Sequence, residues 1–276
     1  METTVMQNKA TGLKQFNSYI MNDKTQEYIE SVVGHQKESF VANIVSIVSS
    51  NTGLQECTPS SVMYSALKAT ALDLPLDQNL GFAYVLPYNV KVRGKNGAQD
   101  QWKKEANFQI GAKGYIQLAQ RTGQFAVINT DDVREGELIN VDRLTGEYTF
   151  DWIAGEERNN VNTIGYVAFF RLTNGFQKTL YMTSEQLEEH GKKYSKTYAK
   201  GFGLWKDMKD AMCKKTVLKL LLSKYAPLSV KSQSIQNLSE AIRVDQSVIN
   251  ENEITYIDND GIDETKVERV EGLFNN

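Results

Sequence analysis

The sequence predicts an α+β fold: a small, mostly antiparallel sheet packed with helices, with N-terminal helices suited to oligomer packing. Three observations predict it. Apolar residues recur at helical spacing before Pro75 and again after Thr183. Between these regions lie strands with short connections; the clearest pair, Thr163–Leu172 and Phe176–Met182, turns at Asn174-Gly175. A third stretch, Ala106–Gly123, reads as a strand, a sharp junction and a short helix closed by a glycine. Strands joined locally favour α+β over a doubly wound parallel sheet.

In chain order, residues 1–15 are polar and expected to be disordered. Phe16–Val33 and Lys37–Ser49 read as two helices broken at Gly34. Phe40, Val41, Ile44, Ile47 and Val48 share one side of the second. Such faces exceed what one core covers, which makes these helices candidates for contacts between protomers. Thr58-Pro59 opens the next helix, a hydroxyl cap followed by a proline whose missing N–H costs nothing there. Phe82–Val90 is strand-like, with Pro87 marking an edge or a bulge. Lys91–Lys104 is polar and cationic and reads as a hairpin tip.

In the central stretch, Phe108 and Ile110 alternate with Gln109 and Gly111, the period of a half-buried strand. Tyr115, Ile116, Leu118 and Ala119 then fall at helical spacing, and Gly123 ends the helix in a left-handed conformation. Gln124–Arg134 is a further strand. Thr183-Ser184-Glu185-Gln186 is a capping box for a helix to about His190. Lys192–Gly203 reads as irregular, and Leu204–Tyr225 as one long helix stopped before Pro227. Three segments follow: a disordered 1–15, a folded core over 16–230, and a flexible acidic tail over 231–276.

Charge is unevenly placed. Asp245–Asn276 carries nine acids against Lys266 and Arg269, a net of −7 within a chain of net −3. Lys192–Lys224 carries ten lysines against Asp207 and Asp210, a net of +8. A concentrated basic segment beside an acidic tail fits a nucleic-acid binder. Two distant cysteines exclude a disulfide framework and fit a reducing, cytoplasmic setting. No apolar run reaches membrane-spanning length, so no membrane partner is expected.

Catalytic signatures are weak. No phosphate-binding G-x-x-x-x-G-K-[ST] run occurs, and Gly201-Phe202-Gly203 lacks its strand and third glycine, so no nucleotide cofactor is expected. Asp131, Asp132, Glu135 and Glu137 cluster after a strand, where metal-dependent nuclease chemistry would need converging carboxylates. Such clusters are usually solvated turns, and neither a metal site nor a catalytic residue is assigned.

The cations carry more. Lys113 stands at the start of the central helix, where it opposes the dipole; a negative ligand would supply what it lacks. Arg121 lies two turns on. In the late helix, Lys215 and Lys219 fall within the apolar stripe marked by Met208, Ala211, Met212, Leu218 and Leu222. Either their stems snorkel, or the helix lines a groove with Lys214, Lys215 and Lys219 facing a phosphate backbone. Trp205 and Lys206 open that helix. An indole there fits a core, and is also a surface on which single-stranded bases stack.

These residues together resemble the RecT family of phage-encoded single-strand annealing proteins. The resemblance spans about residues 40–230. It is carried by Cys57-Thr58-Pro59-Ser60-Ser61 with Ala69–Leu74, Tyr84-Val85-Leu86-Pro87-Tyr88, Gln109-Ile110-Gly111-Ala112-Lys113-Gly114 with Leu118–Gln124, Val133-Arg134-Glu135-Gly136, and Trp205 with Met212–Leu218. The order and spacing of these pieces, rather than any one of them, make it specific. This chain has Leu204 where the family often has proline, Gln120 where it often has arginine, and Lys219-Leu220 where it often has an arginine pair. Lysine keeps the charge but gives up the bidentate phosphate contact.

The resemblance implies a non-enzymatic, ATP-independent protein. It would coat single-stranded DNA, pair it with a complementary strand into an annealed duplex, and assemble as a homo-oligomeric ring or helical filament in phage-type recombination and repair. It implies a basic groove, with Lys113 and Arg121 near the central helix and Lys214, Lys215 and Lys219 on the other wall. Arg134 is a further groove cation or a partner of Glu135 or Glu137. Lys103 and Lys104 contact DNA or a neighbouring protomer. A 5′-to-3′ exonuclease and a host single-strand-binding protein are the expected protein partners of the tail, which alternatively competes for the groove. The rival readings are a passive single-strand-binding protein and a metal-dependent nuclease.

Overall fold

The computed structural model describes residues 12–77, 79–92, 101–227, 233–245, 247–250 and 253–256. In chain order it runs through helices α1 (12–20), α2 (Asp23–Val33), α3 (Lys37–Ser50) and α4 (Pro59–Ala71), then strands β1 (Ala83–Val92) and β2 (Gln101–Ile110). Helix α5 (Ala112–Arg121) leads to β3 (Phe125–Arg134), β4 (Leu138–Asp142), β5 (Glu147–Phe150), β6 (Thr163–Leu172) and β7 (Gln177–Thr183). Then come α6 (Ser184–Tyr194), α7 (Lys196–Ala199), α8 (Leu204–Asp207), α9 (Lys209–Tyr225), α10 (Gln233–Val244), β8 (Ser247–Asn250) and β9 (Glu253–Tyr256). Small antiparallel sheets packed against helices make this the expected α+β fold. Among the described residues no helix is long and apolar enough to cross a membrane.

The chain forms two compact units, one of residues up to Ile110 with the segment from Val244, the other of Gly111–Arg243. In the first, the helix expected over 16–33 is broken at Asn22. That residue is extended, and its side chain accepts the Lys24 N–H to start α2. The break at Gly34 falls where expected, at φ 55°. Thr58 precedes Pro59 as predicted, but its hydroxyl does not cap α4; it donates to the buried Glu105 carboxylate.

Strand β1 is the edge of its sheet, as Pro87 requires, and pairs with β2 from Ala83↔Ile110 to Val92↔Gln101. From Glu105 to Ile110 strand β2 is buried on both faces rather than half-buried, because Glu105, Asn107 and Gln109 are enclosed along with Ala106, Phe108 and Ile110. Helix α4 supplies hydrogen bonds along its other edge. Ser61 Oγ accepts the Ala106 N–H at 2.8 Å, and Ser65 Oγ donates to the Ala106 carbonyl at 3.3 Å. Farther on, β8 takes over that edge at Asn107 and Phe108, and Asp245 Oδ1 accepts the Ile110 N–H at 2.8 Å. Ordered backbone therefore continues past residue 230, where the sequence reading ended the folded core. The hairpin tip over 93–100, the N-terminal residues 1–11 and the acids from Asp258 onward lie outside the described residues.

In the second unit, β3, β6 and β7 form an antiparallel sheet, with β6 and β7 close to their predicted bounds. Helix α9 packs on all three strands and on α5. Its middle is buried nearly all round, through Met212, Cys213, Thr216, Val217, Leu218 and Leu221. The expected long helix is divided at Met208, whose φ of −133° and ψ of 47° leave the helical region. The capping box forms as expected at Thr183 and Gln186, and α6 runs on to Tyr194. Strands β4 and β5 make a hairpin of their own.

Candidate nucleic-acid interface

Helix α5 carries two exposed cations, Lys113 and Arg121. It starts from Gly111 with no side-chain cap, and Tyr115, Leu118 and Ala119 bury one face. Tyr115 closes that face by donating to the Ala241 carbonyl at 3.5 Å. Lys113, Gln120 and Arg121 lie on the open side. Eight residues separate the two cations, about 12 Å along the axis. Lys113 gains nothing from its place at the positive end of the dipole, whereas Arg121 sits favourably in the last turn.

Lys214 is in a different setting. Its Nζ lies 3.3 Å from Asp131 Oδ1, from Asp132 Oδ1 and from Asp210 Oδ2. Burial works against its charge, but Asp210, Asp131 and Asp132 outweigh it and hold the ammonium's pKa above the ordinary lysine value. The Arg134 guanidinium lies 2.5 Å from Asp132 Oδ2, an ion pair out of line for a hydrogen bond, and donates to the Val161 carbonyl at 2.8 Å. Its backbone N–H goes to Glu137 Oε2 at 2.7 Å.

Arg158 completes the cluster. Its Nε donates to Glu137 Oε1 at 2.7 Å and its Nη2 to the Asp132 carbonyl at 2.7 Å. Burial raises the Asp132 pKa, and hydrogen bonding with Asp131 and the Lys214 and Arg158 charges more than reverse this, bringing it to about 2. Glu137 is also held below the usual carboxylate range: burial opposes this, but Arg158 and two backbone N–H groups prevail. The Glu137 hydrogen bond in turn raises the Arg158 pKa. Sequence reasoning missed Arg158, which stands in a polar run without a motif. The four acids do not converge on an empty point; Asp131, Asp132 and Glu137 turn onto cations, and no cluster fit to hold a metal occurs among the described residues.

The remaining expected contacts are dispersed. Lys215 is 5% exposed within the α9 core. Lys219 is half-buried, and its charge adds to burial in holding the His190 pKa down. Trp205 is 5% exposed, with its ring 5.7 Å from Tyr198 and its edge over Gly191, so it is a core indole rather than a stacking platform. Lys206 next to it is exposed. In the first unit, Lys103 is exposed and Lys104 is paired with Glu56.

A family model described as RecT family matches residues 38–259. The chain belongs to the RecT family. The match takes in both α5 cations and the whole Asp132–Arg158 cluster. Among curated relatives, an uncharacterized protein, YqaK, of Bacillus subtilis (strain 168) is 46% identical over 204 residues, 74% of this chain and 64% of that protein. Protein RecT of Escherichia coli (strain K12) is 29% identical over 194 residues, 68% of this chain and 65% of that one. This RecT-family chain thus spans just under two thirds of each relative's length.

Proposed function

We propose that this protein binds single-stranded DNA without ATP and anneals complementary strands in homologous recombination, working as a homo-oligomeric ring or filament. The family match over 38–259 carries the reading. The open cationic face of α5 supports it. Annealing needs no bond chemistry; it needs strand repulsion neutralised and bases left free, so binding is phosphate-led and indifferent to sequence. Lys113 and Arg121 are assigned to the backbone of the bound strand, with Lys206 and Lys103 as further exposed cations. Lys214 and Arg134 are assigned to holding the unit together, since carboxylates already surround them. The acidic run after Asp245 is assigned to protein partners, a 5′-to-3′ exonuclease or a host single-strand-binding protein.

The test is the pairing rate of two complementary oligonucleotides, followed by fluorescence in EDTA without nucleotide. Faster pairing is expected. Pairing blocked without cleavage would make the protein a passive binder, and cleavage on adding magnesium a nuclease. Replacing Lys113 and Arg121 together with alanine should slow pairing and lower the slope of log affinity against log salt by about 0.7 per lost phosphate contact. An unchanged slope would remove α5 from the interface.

A further inference from the structure

The β4–β5 hairpin stands off the second unit. It is tied to β7 by Tyr148, whose ring lies 6.0 Å from that of Tyr181, and by Lys178 Nζ on the Thr145 carbonyl at 2.8 Å. Elsewhere it is open: Ile139 is 61% exposed, Leu144 at the tip 95%, and Trp152 just beyond it 48%. Large apolar side chains gathered on one projection mark a contact surface. The charge around them is predominantly negative. Glu135–Glu157 carries seven acids against Arg143 alone, a net of −6. Glu137 is buried and paired; the other six acids are exposed.

The same unit carries the opposite surface on α6 and α7. Lys192–Phe202 holds four lysines and no acid. Lys192, Lys193 and Lys200 are exposed, and between them Tyr194 is 40% and Phe202 53% exposed. Each surface combines exposed apolar side chains with a net charge of one sign, negative on the hairpin and positive over Lys192–Phe202, where Lys192 also pairs with Glu188 at 2.7 Å. Neither can meet a copy of itself without placing like charges together, whereas each complements the other.

We infer that the acidic β4–β5 hairpin of one copy docks on the basic Lys192–Phe202 surface of a second copy. Such a contact is head-to-tail, leaves one face of each kind unfilled at the ends, and grows into a ring or a filament according to whether its rotation closes. It uses no residue of α5 and stops short of Lys206, so the cations assigned to DNA are not part of it. The inference rests on the oligomeric reading above and gives that reading a surface.

Sedimentation velocity of the full chain tests it, with and without a single-stranded oligonucleotide, at about 0.1 M and about 0.5 M salt, where screening shortens. The acidic face is reversed by Glu147→Lys, Asp151→Lys, Glu156→Lys and Glu157→Lys, which take its net charge from −6 to +2, and the basic face by Lys192→Glu, Lys193→Glu and Lys200→Glu, which take Lys192–Phe202 from +4 to −2. Each variant alone should associate more weakly, on the order of a hundredfold, because like charges now face each other. An equimolar mixture of the two should assemble again, since the new lysines meet the new glutamates and the untouched faces meet one another. Unchanged melting temperatures check that both variants fold. Assembly of either variant at the unaltered level, or a mixture that stays dispersed, overturns the proposal. An unaltered chain that stays monomeric with and without oligonucleotide overturns the oligomeric reading and this interface with it.

Discussion

Replacing Arg158 with alanine should destabilise the protein by about 3 kcal/mol. Glu137 is fully buried and accepts Arg158 Nε at 2.7 Å and Nη2 at 3.3 Å. The Asp132 carbonyl loses its Nη2 donor in the same change. Two hydrogen bonds to charged groups are worth up to about 6 kcal/mol together. Arg158 keeps 21% of its side chain exposed, so solvent screening discounts that figure by roughly half. The backbone N–H groups of Arg134 and Ile153 continue to hold Glu137, which keeps the loss from growing further. Arg158→Lys keeps a charge without the planar fork and should fall between the parent and the alanine variant. Urea unfolding followed by tryptophan fluorescence reads the change, and Trp152, 6.0 Å from the guanidinium, is a local reporter. The midpoint should move with little change in slope. A loss below about 1 kcal/mol would refute the view that this cluster holds the loop over 135–162 in place.

Acid should weaken the same cluster. The Asp132 pKa, about 2 against an ordinary 3.8, is depressed in the folded state, so its contribution is complete above the ordinary value and lost as pH falls toward about 2. Urea midpoints across that window should fall less steeply for Asp132→Asn than for the parent. Trp205→Ala should cost about 3–5 kcal/mol in unfolding free energy while leaving the salt dependence of DNA binding unchanged, because the indole is buried. At Gly191 an added Cβ would lie 2.8 Å from Trp205 Cε3. Gly191→Ala should therefore lower stability by about 1–3 kcal/mol, read by thermal melting, and pairing it with Trp205→Leu should recover part of the loss.

Local chemistry made much of the fold legible. The hairpin turn at Asn174-Gly175, the Thr183–Gln186 box, the proline on an edge strand and the left-handed Gly123 each act within a few residues, and each appears where the sequence places it. Tertiary effects were not legible. Apolar alternation in β2 cannot reveal that Glu105, Asn107 and Gln109 are enclosed too, because enclosure depends on what lies over the second face. The β4–β5 hairpin leaves a faint period, since Ile139 and Val141 are exposed and a register shift interrupts the ladder.

The candidate site divides in the same way. That Lys113 and Arg121 share an open helix face follows from spacing. That Lys214 is surrounded does not, because Asp131, Asp132 and Asp210 reach it from a strand and from its own helix. Charge density alone pointed to α9. Burial of its middle leaves its exposed lysines at its two ends, Lys209 and Lys224.

The hydrogen bond from Ile110 to Asp245 joins residues far apart in synthesis. When the ribosome has released β2, neither Asp245 nor β8 yet exists, and the strand waits with part of its edge unanswered. The segment from Gly111 to Arg243 is made in the interval and forms its own unit. The middle of the chain can therefore mature first, and the opening third is finished by residues translated near the end. Such long-range closure is slow. Until it happens, the far end of β2 is a template for misplaced strands, a hazard that should grow with the rate at which the protein is produced.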